Sequence, residues 1–129
     1  MATSSAPCCG ATPAPRLRHA STLAALCKVL SDETRLRLLA LIARGEVCVC
    51  ELHGSLRLPQ PTVSRHLAAL RRAGLVAARR DGIWMHYRLA DTLDPVTRTT
   101  LDAVLHALTH TDTTAKDAAR LQAELTQRA

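Results

Sequence analysis

A strand–turn–strand pattern in the second half of the chain constrains the fold more than any other feature. The stretch LVAARRDGIWMHYRL holds two strand-like runs around Asp81-Gly82, and Asp-Gly is a favoured two-residue hairpin turn. The other periodic segments have helical spacing, so we predict a mainly α fold with a small β-hairpin. The basic side chains on the arms of the hairpin are Arg79, Arg80, His86 and Arg88.

The composition agrees with a helical core. Only 2% of the 129 residues are aromatic and none is Phe, so the core must be built from Leu, Ala and Val. A chain of this length suggests one domain with a real core. The net charge of +6 is compatible with a phosphate-rich partner.

Four segments with helical features precede the hairpin. The first covers residues 19–30, with a stripe that includes Cys27, which we assign to the core or an interface. The second follows a cap at Ser31 or Asp32 and ends near Gly45. A short helix over residues 48–56 is followed by RLPQP, whose prolines break the chain before a helix over residues 62–73.

The two ends of the chain have different characters. Residues 1–15 are rich in Ala, Ser, Thr and Pro, which predicts a flexible tail. Residues 16–111 should form the folded domain, ending in a helix over residues 93–110. Residues 112–129 could form a further helix through Ala118, Leu121 and Leu125, but this extension would have little to bury.

The order of elements, with a basic helix before a basic hairpin, predicts a winged helix-turn-helix. The helix over residues 62–73 would present polar and basic groups to the major groove, and the hairpin would lie on the DNA backbone or in the minor groove. A charge run alone usually marks a solvated face, but here the order of elements also favours double-stranded DNA. The candidate contacts are Gln60, Thr62, Ser64, Arg65, His66, Arg71, Arg79 and Arg80.

The first and penultimate helices carry apolar stripes. Together these stripes hold more apolar surface than a small domain with this core should leave exposed to water. A two-fold homodimer would bury them and place the two reading helices about one DNA turn, ~34 Å, apart. The alternative is that these residues face the core of their own chain. The candidate interface residues are Leu23, Leu26, Leu101, Val104, Leu105 and Leu108.

The stretch EVCVCEL places Cys48 and Cys50 one residue apart. Thiolates are soft ligands that favour thiophilic ions. Residues at i and i+2 of an ideal helix do not face each other, so this pair chelates poorly unless the turn is distorted or a further ligand joins. A second set, Asp102, His106 and His110, shares one helix face, but we interpret it as a solvated polar face.

Four segments together resemble the ArsR/SmtB family of metal-responsive bacterial repressors. They are SDETRLRLLALI, EVCVCEL, TVSRHLAALRRAGLV and RRDGIWMHYRL, and the resemblance runs from about residue 20 to 110. EVCVCEL is most similar to the ELCVCDL motif of arsenical-sensing and cadmium/lead-sensing members. The resemblance implies a homodimeric winged helix-turn-helix that binds a palindromic operator when metal-free and releases it when the inducer binds.

The resemblance also implies where further ligands lie. Similar arsenical repressors have a third cysteine where this chain has His53, and imidazole suits zinc or cadmium better than trivalent arsenic. Some members pair N-terminal cysteines with those of the motif. Cys8, Cys9 and Cys48 would then hold As(III) or Sb(III), and adding Cys50 would suit cadmium, lead or zinc.

We therefore expect a cytoplasmic repressor that responds to As(III) or Sb(III). The alternatives are a cadmium-, lead- or zinc-responsive repressor that uses four cysteines, and a thiol redox sensor on the same scaffold. An enzyme is disfavoured because the cysteine spacing is C-x-C rather than C-x-x-C. No stretch approaches the ~20 apolar residues of a membrane span, and the N-terminus lacks a signal peptide's apolar region.

Overall fold

The computed structural model describes residues 20–128, which form six helices and three strands. In chain order these elements are α1 (Ala20–Leu30), α2 (Glu33–Ile42), β1 (Val47–Cys48), α3 (Val49–Leu56), α4 (Gln60–Arg72), β2 (Val76–Asp81), β3 (Trp84–Leu89), α5 (Pro95–Leu108) and α6 (Asp112–Arg128). The predicted class, mainly α with a small β-hairpin, is confirmed. Cys8 and Cys9 lie outside the described residues.

The strands form one antiparallel sheet in the order β1-β3-β2. The predicted hairpin is the β2–β3 pair, and the two-residue strand β1 was not expected. Within β1, Val47 pairs with Tyr87 and Cys48 pairs with His86. EVCVCEL is therefore part strand and part helix, whereas a helix beginning at residue 48 had been predicted.

The hairpin turn lies one residue further along the chain than predicted. Asp81 pairs with Trp84, so the two loop residues are Gly82 and Ile83 rather than Asp81 and Gly82. Gly82 has a φ of +64°, and within residues 20–128 the only other non-negative φ values belong to Gly45, Gly74 and Arg57. A positive φ at the first loop position alone is typical of a type II′ turn, which requires glycine there.

Helices α3 and α4 form the helix-turn-helix. Helix α3 ends at Arg57, which is left-handed with a φ of +57°. Helix α4 begins at Gln60, two residues earlier than predicted, because Pro61 is tolerated in a first turn. Val63, Leu67 and Leu70 are fully buried on its inner face, as predicted.

Helix α6 packs on α2 and α3, so the expectation that it has little to bury is wrong. Leu121 is 4% exposed and Asp117 is fully buried. The Asp117 carboxylate accepts hydrogen bonds from Arg37 and Arg120, which satisfy its charge. Gly54 lets α6 approach α3 closely, since a Cβ there would lie 3.2 Å from the Glu124 carboxylate.

The apolar stripes on α1 and α5 divide between core and surface. Leu26 and Leu101 are buried in the chain's own core, at 8% and 0% exposure. Leu23 is exposed, and Cys27 is exposed too, so Cys27 does not belong to this core. The half-buried residues of the stripes are Val104, Leu105 and Leu108. Within residues 20–128, no helix has the length and apolar character that a membrane crossing needs.

Candidate functional site

Two thiols are in contact where β1 ends and α3 begins. The Sγ atom of Cys50 lies 2.9 Å from the Sγ atom of Cys48. Cys48 is the N-cap residue of α3 and has extended backbone angles, φ −75° and ψ 145°. The two residues therefore do not follow ideal helix geometry, and the distorted turn that the sequence left open as an alternative is the one observed. Cys48 is buried and Cys50 is half-buried, so ligands reach the pair from the Cys50 side.

Local hydrogen bonds hold this strand-to-helix junction in place. The Glu51 carboxylate accepts a hydrogen bond from the backbone N–H of Cys48 at 3.1 Å, as an N3 residue does in a capping box. One turn later, the Ser55 hydroxyl donates to the Glu51 carbonyl at 2.7 Å. Val49 and Leu52 anchor the same turn in the core. The two thiols thus lie at a hydrogen-bonded junction between the end of β1 and the start of α3.

The dithiol has the chemistry of a soft-metal site but supplies only two ligands. Sulfurs bound at about 2.3 Å to a tetrahedral ion are separated by about 3.8 Å, so the two thiols would have to spread by somewhat under 1 Å. Among residues 20–128, no group of three or more His, Cys, Asp or Glu side chains is arranged to hold a metal ion. Neither His53 nor any other described residue completes the site, and ligation by Cys8 and Cys9 stays a prediction.

An ion pair links the residue before β1 to the hairpin. The Arg79 guanidinium donates to both carboxylate oxygens of Glu46, at 2.7 and 3.2 Å. These hydrogen bonds hold the pKa of Glu46 below its ordinary value, against a smaller opposing effect of desolvation, and they raise the pKa of Arg79. Arg79 was predicted to contact DNA, and in this structure it holds β1 to β2 across the sheet.

The sheet register gives the dithiol a second link to the hairpin. Cys48 lies opposite His86 on β3, and His86 lies opposite Arg79 on β2. Directly opposed residues in an antiparallel sheet project from the same face. Cys48, His86 and Arg79 therefore form a row across all three strands. A displacement of Cys48 would act on the hairpin through backbone hydrogen bonds as well as through the Glu46 ion pair.

The predicted DNA contacts fall on two surfaces. On α4, Gln60, Arg65 and Arg71 are exposed, whereas Thr62 and Ser64 are half-buried. On β2, the side chains of Arg79 and Arg80 are exposed. The structure therefore places these residues on the outer sides of the helix-turn-helix and the hairpin, and their contact with DNA stays a prediction.

His66 has a partner inside the molecule. Its Nδ1 atom accepts a hydrogen bond from the Nε atom of Arg35 at 3.2 Å and lies 3.9 Å from a carboxylate oxygen of Asp32. This contact ties the start of α2 to the middle of α4. His66 was predicted to lie near base edges; in the structure its Nδ1 atom is engaged by Arg35 of α2, and a contact with DNA stays a prediction.

The same contact borders a basic cleft of about 440 Å³ between α2 and α4. Its lining residues are Arg35, Arg65, His66, Ala68, Ala69 and Arg72. Arg35 was missed at the level of the sequence because it belongs to α2, which is far from α4 along the chain although the two helices are in contact. No local pattern marks it, and its partner His66 is 31 residues away.

The second candidate metal set is dispersed on the surface of α5 and the residues after it. Asp102, His106 and His110 are all exposed. The rings of His106 and His110 are 5.3 Å apart in an edge-to-face arrangement, and Asp102 lies 4.0 Å from Arg98. All three side chains lie on the solvated surface of this chain, and a metal site shared across a dimer is not tested by a single chain.

Comparison with known proteins assigns the chain to a family. The sequence profile of the bacterial regulatory protein, arsR family, matches residues 32–78. The transcriptional repressor SmtB of Mycobacterium tuberculosis is 38% identical over 100 residues, which cover 77% of this chain and 73% of SmtB.

The chain belongs to the ArsR family. The prediction of this family from the four sequence segments is therefore confirmed. The arsenic resistance transcriptional regulator ArsR1 of Pseudomonas putida is 51% identical over 80 residues. The arsenical resistance operon repressor of Escherichia coli is 52% identical over 66 residues. The matched regions span 62% and 56% of these two relatives, which is less than two thirds of either.

Two solved structures share the fold. Reduced HlyU from Vibrio cholerae has a TM-score of 0.61 and 33% identity, covering 71% of this chain and 93% of HlyU. A homodimeric winged helix-turn-helix domain from Mycobacterium bovis has a TM-score of 0.58 and 30% identity, covering 69% and 80%. The predicted winged helix-turn-helix is therefore confirmed for this ArsR-family chain.

Proposed function

We propose that this ArsR-family protein is a metalloid-responsive repressor. Inducer-free, it binds a palindromic operator through α4 and the β2–β3 hairpin. It releases the DNA when its cysteines bind trivalent arsenic or antimony. The observation that carries the proposal is the contact between Cys48 and Cys50, which puts two soft ligands at the start of the helix-turn-helix. The similarity to arsenic resistance regulators favours arsenic over other thiophilic ions.

The ligand exchange proposed at the dithiol balances without any redox step. Arsenite, As(OH)₃, exchanges each hydroxyl for one thiolate, and each thiol proton leaves with the departing hydroxyl as water. The sequence predicted Cys8, Cys9 and Cys48 as the three arsenic ligands; the contact between Cys48 and Cys50 instead favours these two for two As–S bonds, with Cys8 or Cys9 for the third. A four-sulfur site that uses all of these cysteines would instead suit cadmium, lead or zinc.

Two connections would carry the inducer's effect to the DNA. Helix α3 leads through Arg57 to Pro59 directly into α4, and β1 is hydrogen-bonded to β3 of the hairpin. Separating the two sulfurs displaces either Cys48 or the first turn of α3. An inducer weakens DNA binding only to the extent that it prefers the displaced conformer. The proposed coupling is therefore negative, and it acts on both DNA-binding elements.

A homodimer is part of the proposal. Leu23 is 36% exposed on α1, and Val104, Leu105 and Leu108 are half-buried on α5, so these two helices keep apolar surface for a partner. Leu26 and Leu101 support that surface from within the core. The related Mycobacterium bovis domain is described as homodimeric. Two-fold symmetry would let one inducer-driven change act on both halves of a palindrome.

The test is operator-binding anisotropy on the full chain, with a duplex selected by the inducer-free protein from a random library. Arsenite, antimonite, cadmium, lead and zinc are titrated separately against the complex. Cys48→Ser should bind DNA normally and fail to release it with arsenite, and the Cys8→Ser/Cys9→Ser double variant tests the tail thiols. Cys27→Ser, at an exposed cysteine on α1, is the matched control. Normal release from Cys48→Ser would overturn the proposal.

A second candidate function is a thiol redox sensor, favoured by the same 2.9 Å contact. One equivalent of hydrogen peroxide would oxidise the two thiols to a disulfide and form two waters. A disulfide requires about 2.05 Å between the sulfurs, so the junction would contract instead of spreading. Release by peroxide with no response to arsenite would favour this function, and release by arsenite alone would exclude it.

A further inference from the structure

The tip of the hairpin exposes an unusual amount of apolar surface. Ile83 is 83% exposed and Trp84 is 47% exposed. Among residues 20–128, the other exposed large apolar side chains are Leu23 at 36% and Leu125 at 41%. Ile83 therefore stands apart as an aliphatic side chain held almost wholly in water. Its exposure is unfavourable in the free protein, and a partner that covers it would gain binding energy.

Turn formation does not account for an isoleucine at this position. Gly82 supplies the positive φ that a type II′ turn needs, and the second loop position accepts many residues. Small polar residues are the usual choice in turns because they hydrogen-bond locally and are well hydrated. A β-branched apolar residue at the apex contributes nothing to the hairpin's own hydrogen bonds or core.

Basic groups flank the apex on both faces of the hairpin. Arg79 pairs with His86, and Arg80 pairs with Met85 one residue nearer to the tip. Neighbouring residues on a strand point to opposite faces, so Arg79 and Arg80 project to the two sides of the ribbon. Asp81 is the one carboxylate at the tip. Arg79 is held by the Glu46 carboxylate, so Arg80 is the basic side chain beside the apolar apex that can meet a phosphate at the edge of a groove.

The minor groove of DNA fits this arrangement. It is about 6 Å wide, which admits a side chain at the apex but not a two-stranded ribbon lying flat. Proteins that bind this groove insert apolar wedges between base steps, and isoleucine is one of the residues they use.

We propose that Ile83 is a minor-groove wedge, which inserts at a base step beside the sequence read by α4. The inference rests on the DNA-binding part of the proposed function and is independent of the inducer. Insertion unstacks the step and bends the duplex, so it favours the flexible steps TA and CA/TG at that position. The wedge would thus add sequence preference without any hydrogen bond to a base.

The experiment compares the full-length wild type with Ile83→Gln on the duplex that the inducer-free protein selects from a random library. Leu125→Gln, at an exposed leucine on α6, is the matched control. A 2-aminopurine placed in turn at each step flanking the selected sequence reports unstacking by a rise in fluorescence. We expect that rise at one step in each half-site with the wild type and the control. With Ile83→Gln it should vanish, and affinity should fall about tenfold.

The outcomes separate the wedge from its competitors. Ile83→Gln could lose affinity although the wild type gives no 2-aminopurine signal. That result would show that Ile83 touches the DNA without inserting, and it would overturn the proposal. Unchanged affinity of Ile83→Gln would overturn it too. A smaller oligomer for Ile83→Gln in sedimentation velocity would assign the tip to a protein interface instead. A wild type that selects no duplex would contradict DNA binding itself, whereas a missing arsenite response leaves the wedge standing.

Discussion

Arg37 donates two hydrogen bonds to Asp117, at 2.8 and 2.9 Å, although 80 residues separate them in the chain. The pair joins α2 to α6, and hydrogen bonding to Asp117 raises the pKa of Arg37. Arg37 also donates to the Leu56 carbonyl, and Arg120 donates to the Ser55 carbonyl. The end of α3 opposite the dithiol is therefore fastened by two arginines that share one buried carboxylate.

Replacing that carboxylate should cost a large part of the protein's stability. Asp117→Ala leaves Arg37 and Arg120 without their charge partner, and breaking a buried ion pair in this way costs about 3–5 kcal/mol. Chemical denaturation at fixed protein concentration measures the free energy of unfolding. Asp102→Ala is the control, since its carboxylate is 61% exposed and 4.0 Å from Arg98, and it should cost less than about 1 kcal/mol. Equal losses in the two variants would contradict this account.

Gly54 should tolerate one methyl group and no more. Gly54→Ala removes the cost of glycine inside a helix, about 0.8–1 kcal/mol. Its Cβ would lie 3.2 Å from a Glu124 carboxylate oxygen, which is the far end of a flexible side chain and can move away. Gly54→Ala should therefore raise the melting temperature, whereas Gly54→Val should lower it by pushing α6 off α3. A drop for Gly54→Ala would mean that Glu124 is held in place, and Gly54→Ala in a Glu124→Ala background tests that directly.

The Glu46–Arg79 ion pair should be present at neutral pH and lost in acid. The pKa of Glu46 is lowered in the folded protein, so the pair's contribution is complete above the unfolded value near 4.5. It disappears as the pH falls below 4.5 through the folded pKa. Carboxyl NMR should show Glu46 titrating below 4.5 in the wild type and moving up in Arg79→Gln. Arg80→Gln is the neighbouring control. An equal rise of the Glu46 pKa in Arg80→Gln would show that nearby positive charge, and not hydrogen bonding to Arg79, lowers that pKa.

Arg35 and His66 should behave as a coupled pair. A hydrogen bond of this kind contributes about 1 kcal/mol, so a double-mutant cycle of Arg35→Ala and His66→Ala should show a coupling of that size in unfolding free energy. The cycle of Arg35→Ala with Arg65→Ala, in the same cleft, is the comparison. Strictly additive effects of the Arg35 and His66 substitutions would show that the bond does not form in solution.

The elements predicted best from sequence have local causes. The hairpin follows from strand-forming residues around a glycine turn, and α4 follows from prolines before an amphipathic stretch. The turn shifted by one residue because Gly82 alone takes a positive φ, which selects a type II′ turn over the expected one. Boundaries of this kind depend on backbone angles that residue types only partly determine.

The features that escaped prediction are set by distant partners. Strand β1 has two residues, too few for any periodic signal, and it exists because β3 pairs with it. The burial of Asp117 depends on Arg37, far away in the chain, so α6 seemed to have nothing to bury. The Cys48–Cys50 contact depends on a strand that ends at Cys48, whereas the sequence predicted a helix there and allowed the contact only through a distorted turn.

The position of Cys48 on the boundary between β1 and α3 would also limit how the proposed sensor can diversify. The one-residue spacing brings two sulfurs together only because the first lies outside the helix and the second lies inside it. Sliding both cysteines one turn along α3 would put them on divergent sides of the helix. A change of inducer would then arise more easily from a new ligand in another segment than from a shift of the cysteine pair along the chain. In the proposed sensor, the dithiol would supply two constant ligands, and the third ligand would be the one that varies.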